Sequence, residues 1–406
     1  MTPKLSSLVL AGLVPLLSLT ACGPSASPGG AGSEALTAAS SLSVTNLNDK
    51  GPGSLRQAII DAASGATITF AVTGQINLTT GELPVNGQLV VSGPGESLLT
   101  VSARQAGSAL ARVFNNIGQL TISGLTLRDG AVNTGVGGGI LNAGTLVVRN
   151  VTFRANQAQN GAAIYNSPGA QLQVDSSTFD SNATQYVDTG TAANGAGIYN
   201  AAPGSVATIT GSTFNSNITH DHGSALYNEA TMTVTNSTMT LGQARDSAVY
   251  SKNGTLSLNN ATITQNVGKQ TANGLIRAGG IVNISNTLIA QNRSISTPLS
   301  DCNGGVTSLG HNLVGEASAC GIKPAAGDLL GTSTAPIDAK LGPLQNNGGP
   351  TTTHALLTGS PAIDFGSAAA LGTAGACAAT DQRGVARPRD GDLNGSAVCD
   401  TGAFEK

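Results

Sequence analysis

A unit of about 25 residues, repeated along most of the chain, restricts the fold more than any other feature of the sequence. One motif recurs as LTISGLTLRDG (120–130), LVVRNVTFRAN (146–156), LQVDSSTFDSN (172–182), ATITGSTFNSN (207–217), MTVTNSTMTLG (232–242), LSLNNATITQN (256–266) and VNISNTLIAQN (282–292). Between its copies runs a second one: GGILN (138–142), AAIYN (162–166), AGIYN (196–200), SALYN (224–228), SAVYS (247–251) and GLIRA (274–278). The anchors Leu127, Phe153, Phe179, Phe214, Met239, Ile263 and Ile289 are separated by 26, 26, 35, 25, 24 and 26 residues, so the longer step marks an inserted loop. Self-similarity at this period is the mark of a solenoid.

Three short strands and their turns fill a coil of that length, and each strand then pairs with its equivalent in the next coil, about 4.8 Å along the axis. The expected fold is all-β, a right-handed parallel β-helix with like side chains stacked in ladders. Phe153, Phe179 and Phe214 share one column; Ile140, Ile164, Ile198, Leu226, Val249 and Leu275 share another. The Asn column at 156, 182, 217, 266 and 292 fits a turn in which Asn adopts left-handed backbone angles and bonds along the stack, with Gly130 and Gly242 in its place in two coils. A β-propeller would want repeats of about 40 residues, and a leucine-rich solenoid a Leu-x-x-Leu-x-Leu signature; neither fits. Composition agrees: 54 glycines, no tryptophan and 10% charged residues leave little with which to build helix surfaces. With a net charge of −3 and scattered basic residues, no nucleic-acid track or basic membrane patch is indicated, and a monomer is expected.

Solenoid ends expose strand edges and core. At the first end Ser54-Leu55-Arg56-Gln57 reads as a capping box opening a short helix, with Leu55, Ala58, Ile59 and Ala62 on one face as a lid. Upstream, Lys4, an apolar run from Leu8 to Leu19 and Leu19-Thr20-Ala21-Cys22 have the layout of a secretory signal. This resembles a bacterial lipobox, which implies cleavage after residue 21, lipidation of Cys22, and, with Gly23 rather than Asp following, a place at the outer membrane or cell surface. The membrane is then reached through the lipid alone. Residues 22–40, rich in Gly, Ser, Ala and Pro, read as a flexible tether. The β-helix and its cap are expected over 41–300, and a C-terminal module of coils and cap over 301–406.

The repeat and both flanks also resemble bacterial surface proteins described as right-handed parallel β-helix proteins with a choice-of-anchor Q module. The matching pieces are VTNLNDKGPGSLRQAI (44–59), the coil motifs, LGPLQNNGGPTTTHALLTGSPAIDFG (341–366), DQRGVARP (381–388) and CDTGAFE (399–405). The resemblance implies export and attachment to the cell, and no activity shared by all members. Where some relatives continue into a sorting tail this sequence stops at Lys406, which makes Cys22 the expected anchor.

Four further cysteines, an even number in an exported chain, point to disulfides. Among three connectivities Cys302–Cys320 and Cys377–Cys399 close the shortest local loops; a zinc site lacks any C-x-x-C pair or suitably spaced His. Asp390-Gly391-Asp392-Leu393-Asn394-Gly395 starts like a calcium loop, with Asp390, Asp392 and Asn394 as candidate ligands, but its twelfth position is Thr401, beside Asp400, rather than Glu. An ordinary polar turn is the competing reading, and no other cofactor is expected.

Three places bear on function. Arg128, Arg154, Asp180, Asn215, Thr240, Thr264 and Ala290 follow the Phe column and should face outward, but Arg128, Arg154, Asp129 and Asp180 lack the stacked carboxylates that a polysaccharide lyase or glycosidase needs, and read as solvated surface. His220-Asp221-His222 is a dense polar cluster, yet neighbours in a turn rarely converge on one ion, and a plain loop is the better reading. Tyr165, Tyr199, Tyr227 and Tyr250 occupy one place in successive coils, outward by strand alternation, and offer a stripe for a sugar chain or a partner protein, or an aromatic ladder that steadies the sheet. The leading expectation is a non-enzymatic surface protein binding polysaccharide or another envelope component. The alternatives are a polysaccharide-degrading enzyme, with a site on a sheet face or in the loops at 183–196 and 218–223, and a purely structural envelope protein.

Overall fold

The computed structural model describes residues 41–103, 111–185, 191–270, 273–295 and 301–406, so the signal, Cys22 and the tether lie outside the described residues. The described residues form one compact unit. It is a parallel β-helix of about ten turns, with a 20-stranded sheet, a nine-stranded sheet and two short three-stranded sheets.

One coil shows how the repeat is built. Gln171–Asp175 and Thr178–Asp180 are both strands of the long sheet; Ala183–Thr184 belongs to a short sheet, and Ile198–Asn200 to the nine-stranded sheet. Left-handed residues turn the corners, Ser176 at φ 49° and Ser181 at φ 55°. Every strand of this coil pairs in register with the coils on either side: Phe153↔Phe179↔Phe214 in the long sheet, Ile164↔Ile198↔Leu226 in the nine-stranded one. The expected columns therefore exist, and all six of those side chains are buried. The Phe rings stack at 4.9 and 4.5 Å, within 8° of parallel.

The Asn column works differently from the expectation. Its left-handed angles fall one residue earlier, at Asp129, Ala155, Ser181, Ser216, Leu241, Gln265 and Gln291. The asparagines themselves are buried and form an amide ladder, Asn156 Nδ2 donating to Asn182 Oδ1 and Asn182 Nδ2 to Asn217 Oδ1, both at 3.0 Å. Gly130 and Gly242 are not in the left-handed region; a Cβ at Gly130 would lie 1.9 Å from the Gly138 carbonyl, and one at Gly242 2.3 Å from Ser224 Oγ. They are small because the corner is tight there. A second ladder, Asn116, Asn142, Asn166, Asn200 and Asn228, runs through the nine-stranded sheet at 2.7–2.9 Å per step. Such buried amides are tolerated because each finds a partner in the next coil.

At the first end the helix Leu55–Asp61 buries Leu55 and Ala58, with Ile59 and Ala62 packed against the core. Half of the capping box is present: Ser54 Oγ accepts from Gln57 N, whereas the Gln57 side chain turns to Asp61. The lid is locked by Asp49, whose Oδ1 pairs with Arg56 at 2.7 Å and whose Oδ2 accepts from Thr79 N, Thr79 Oγ1 and Thr80 Oγ1. Arg56 reaches on to the carbonyls of Gly81 and Glu82.

At the other end the stack runs past residue 300. Cys302 continues the inward column after Leu275, and strand pairing extends to Leu329–Leu330. Both expected disulfides are present, Cys302–Cys320 and Cys377–Cys399. The first lies inside the last coils. Beyond them comes an antiparallel hairpin, Leu341–Gln345 with Thr353–Leu356. From there to Lys406 the chain does more than cap the end: it folds back along the flank of the stack.

Candidate functional site

That fold-back divides the outer face of the long sheet into two strips. The second strand of each coil, continuous with the first in Gln119–Arg128 and Thr145–Arg154, presents Thr126, Thr152, Thr178, Thr213, Thr238 and Thr262 in one row. Thr213, Thr238 and Thr262 are buried under the C-terminal segment. Thr213 Oγ1 donates to Thr352 O, Thr238 Oγ1 to Gln382 Oε1, and Thr262 Oγ1 accepts from Ala403 N. Thr240 Oγ1 meets His354 Nε2 at 3.0 Å. The row expected to face solvent after the Phe column is thus covered over its second half, where Thr240, Thr264 and Ala290 are buried.

The polar residues of the C-terminal segment serve this docking. The Gln382 amide is enclosed by the hydroxyls of Thr213, Thr351 and Thr238. Arg387 and Glu405 form a fully buried ion pair at 2.9 Å; Arg387 also donates to the carbonyls of Asp400 and Gly402, and Glu405 accepts from the backbone N–H of Asp400 and Arg389. Burial pushes the Glu405 carboxyl up and the Arg387 guanidinium down, and each opposes the other's shift. His354 is buried and pushed down by the loss of solvent, with Nδ1 2.7 Å from Gly342 O. The motifs at 341–366, 381–388 and 399–405 thus hold a flank to a stack, and sequence reasoning missed this because their partners lie up to 170 residues away.

The tyrosines form the expected column, but their faces are occupied by one another. Tyr165, Tyr199, Tyr227 and Tyr250 stack at 5.0, 4.6 and 5.4 Å, and His222 closes the series on Tyr250 at 4.3 Å. Tyr227 is 3% exposed and the other three are half-buried. Burial and the nearby Glu229 carboxylate push the phenols of Tyr165, Tyr199 and Tyr227 up; for Tyr250 burial and Asp246 do so. Tyr199, Tyr227 and Tyr250 are stacked on both faces and Tyr165 on one, so the column has the form of an aromatic ladder, the second of the two expected readings.

The His220-Asp221-His222 cluster does not converge. Asp221 Oδ2 accepts from Ala193 N and so ties the two loops together, while His222 Nδ1 lies 2.7 Å from Asp246 Oδ2. Burial, with Lys269 nearby, pushes His220 down. Arg128 and Asp129 pair at 2.8 Å, Arg154 and Asp180 at 3.4 Å, and Asn215 Nδ2 donates to Asp180 Oδ1. These are self-compensating surface pairs.

Among the described residues one group of acidic side chains comes together in metal-binding proximity: Asp364, Asp390 and Asp392, with ligand atoms within 4.8 Å of one another. Asp364 was not legible as a member, lying 26 residues before Asp390. Asp400, beside the twelfth position of the loop, is turned inward, where its carboxylate accepts from Asp364 N and Lys406 N. Asn394 supports the loop as donor, through its backbone N–H to Asp390 Oδ1 and Asp392 Oδ1 and its amide to Asp392 Oδ2. The group borders an open cleft of about 660 Å³ that also displays Arg389 and Lys406.

No protein-family model matches the chain, and no curated protein matches it. Among solved structures it is similar to the crystal structure of pectate lyase Pel9A, at 14% identity with a TM-score of 0.48, over 91% of this chain and 97% of that one.

Proposed function

We propose that this is an exported, non-catalytic β-helix protein of the bacterial envelope, held by a lipid on Cys22 and carrying a C-terminal segment of the choice-of-anchor Q type, that binds polysaccharide or another envelope component across the outer face of its long sheet. One observation carries the reading: the C-terminal segment seals one strip of that face from Thr213 onward, and the adjoining strip stays open. The two disulfides suit an oxidising compartment. Calcium at Asp364, Asp390 and Asp392 belongs to the same proposal, since three carboxylates meet the oxygen preference of a hard cation. In this reading it stiffens the C-terminal loop rather than taking part in a reaction.

A glycan array probed with the mature protein tests the binding claim, and mass analysis of its N-terminal peptide tests acylation of Cys22. Retention of at least one glycan class and an acylated peptide are expected; a soluble chain that binds no glycan would refute it. The second reading, a polysaccharide lyase or hydrolase, is favoured by the cleft in which Arg389 and Lys406 join the carboxylates. Release of unsaturated products or new reducing ends, lost in Asp392→Asn, would establish it over the first.

A further inference from the structure

The open strip is made by the first strand of each coil. Gln173, Thr208, Thr233, Ser257 and Asn283 lie in register down its centre, one per coil. All five side chains are exposed or half-exposed, and among the described residues no side-chain hydrogen bond engages any of them. This sets them apart from the neighbouring row, where Thr213, Thr238 and Thr262 are hydrogen-bonded beneath the C-terminal segment. From Val206 to Ser285 the outward positions of four successive strands, Val206–Thr210, Thr231–Thr235, Thr255–Asn259 and Ile281–Ser285, include no charged residue.

The row is also regular and backed by core. Below it Ile209, Val234, Leu258 and Ile284 are buried in one inward column. Polar groups then recur about every 4.8 Å along the axis, on strands paired in register over a packed core. Hydroxyls, with amides at the two ends, offer donors and acceptors together, which is what vicinal sugar hydroxyls need. They offer no positive charge to offset a carboxylate or sulfate, which Arg or Lys would supply. We infer that the open strip binds a neutral, extended polysaccharide lying along the solenoid axis, with Thr208, Thr233 and Ser257 at the centre of the contact. The inference rests on the glycan-binding reading and narrows it to a chemical class and a place.

Co-sedimentation of the mature protein with insoluble neutral glycans (cellulose, chitin), beside affinity electrophoresis in polygalacturonate and alginate, tests it. Retention by a neutral glycan is expected. It should weaken at least about tenfold in Thr233→Lys and in Thr208→Lys, with melting temperature unchanged, whereas Thr145→Lys, two coils before Thr208 and three before Thr233, should bind normally. Asn283→Ala, which adds no bulk, guards against a folding defect and should weaken retention less. Binding to the acidic polymers alone would overturn the inference and leave the glycan reading standing. Neutral binding unaffected by Thr208→Lys and Thr233→Lys would overturn the strip, and no binding to any glycan would remove both.

Discussion

Thr178 and Thr238 hold the same register in the same sheet two coils apart, and their surroundings differ completely. Thr178 is half-exposed on an open face, beyond the short loop whose Glu96 accepts hydrogen bonds from Thr126 and Thr152. Thr238 is buried and donates to Gln382, 144 residues further along the chain. The repeat specifies how a coil closes and stacks; what lies on its outer face depends on residues outside the repeat. A row of identical threonines can therefore be surface in one half and interface in the other.

The largest effect expected from breaking this contrast is at the buried ion pair of the sealed half. Glu405→Ala strands Arg387 without its partner and should cost about 3–5 kcal/mol in a urea unfolding experiment. A cost below about 1 kcal/mol would mean that the segment does not depend on this pair. Phe179→Ala asks whether the open half owes its stability to its core: removing a ring stacked on both sides should also cost about 3–5 kcal/mol. A near-neutral result would contradict a stack held by its ladders.

The two ends should differ in sign with pH. Desolvation pushes the buried Asp301 carboxyl up to about 6, from an ordinary 3.8, despite bonds from Asn292 and Glu316 that favour its charge. Its contribution is complete below 3.8 and is lost as pH rises through 6, on the order of 3 kcal/mol. At the other end the hydrogen bonds from Thr80, Arg56 and Thr79 outweigh burial and bring Asp49 down to about 2. That contribution, on the order of 2 kcal/mol, is present above 3.8 and disappears as pH falls towards 2. Asp301→Asn should flatten the stability profile between pH 4 and 7, and Asp49→Asn the profile below pH 4. The same slopes in the variants as in the wild type would contradict the assignments.

Much of the stack was legible in the sequence because its determinants are local and periodic. The Phe and Ile columns, the helix at Leu55 and both disulfides follow from local or periodic spacings, about 25 residues in most coils and about 35 where a loop is inserted. The second amide ladder, Asn116 to Asn228, was equally periodic and stood in plain view at the end of the GGILN-type motif. What could not be read was the docking of residues 341–406, since nothing in Gln382 or His354 names a partner more than 100 residues away. The tyrosines show the same limit: alternation gave the side of the sheet they face, whereas stacking distance decides whether a ring face remains free. Asp364 joined Asp390 and Asp392 only through the folded chain.

The smallest expected effect makes the sharpest comparison. Thr178→Val on the open face should change stability by less than about 0.5 kcal/mol. A double-mutant cycle of Thr238→Val with Gln382→Ala, run beside Thr178→Val with Gln382→Ala, then measures whether the two halves of one row differ because the C-terminal segment lies on only one of them. A coupling of about 1–3 kcal/mol for Thr238 and none for Thr178 is the predicted result; equal couplings, or none for either, would contradict the division of this row into a sealed half and an open one.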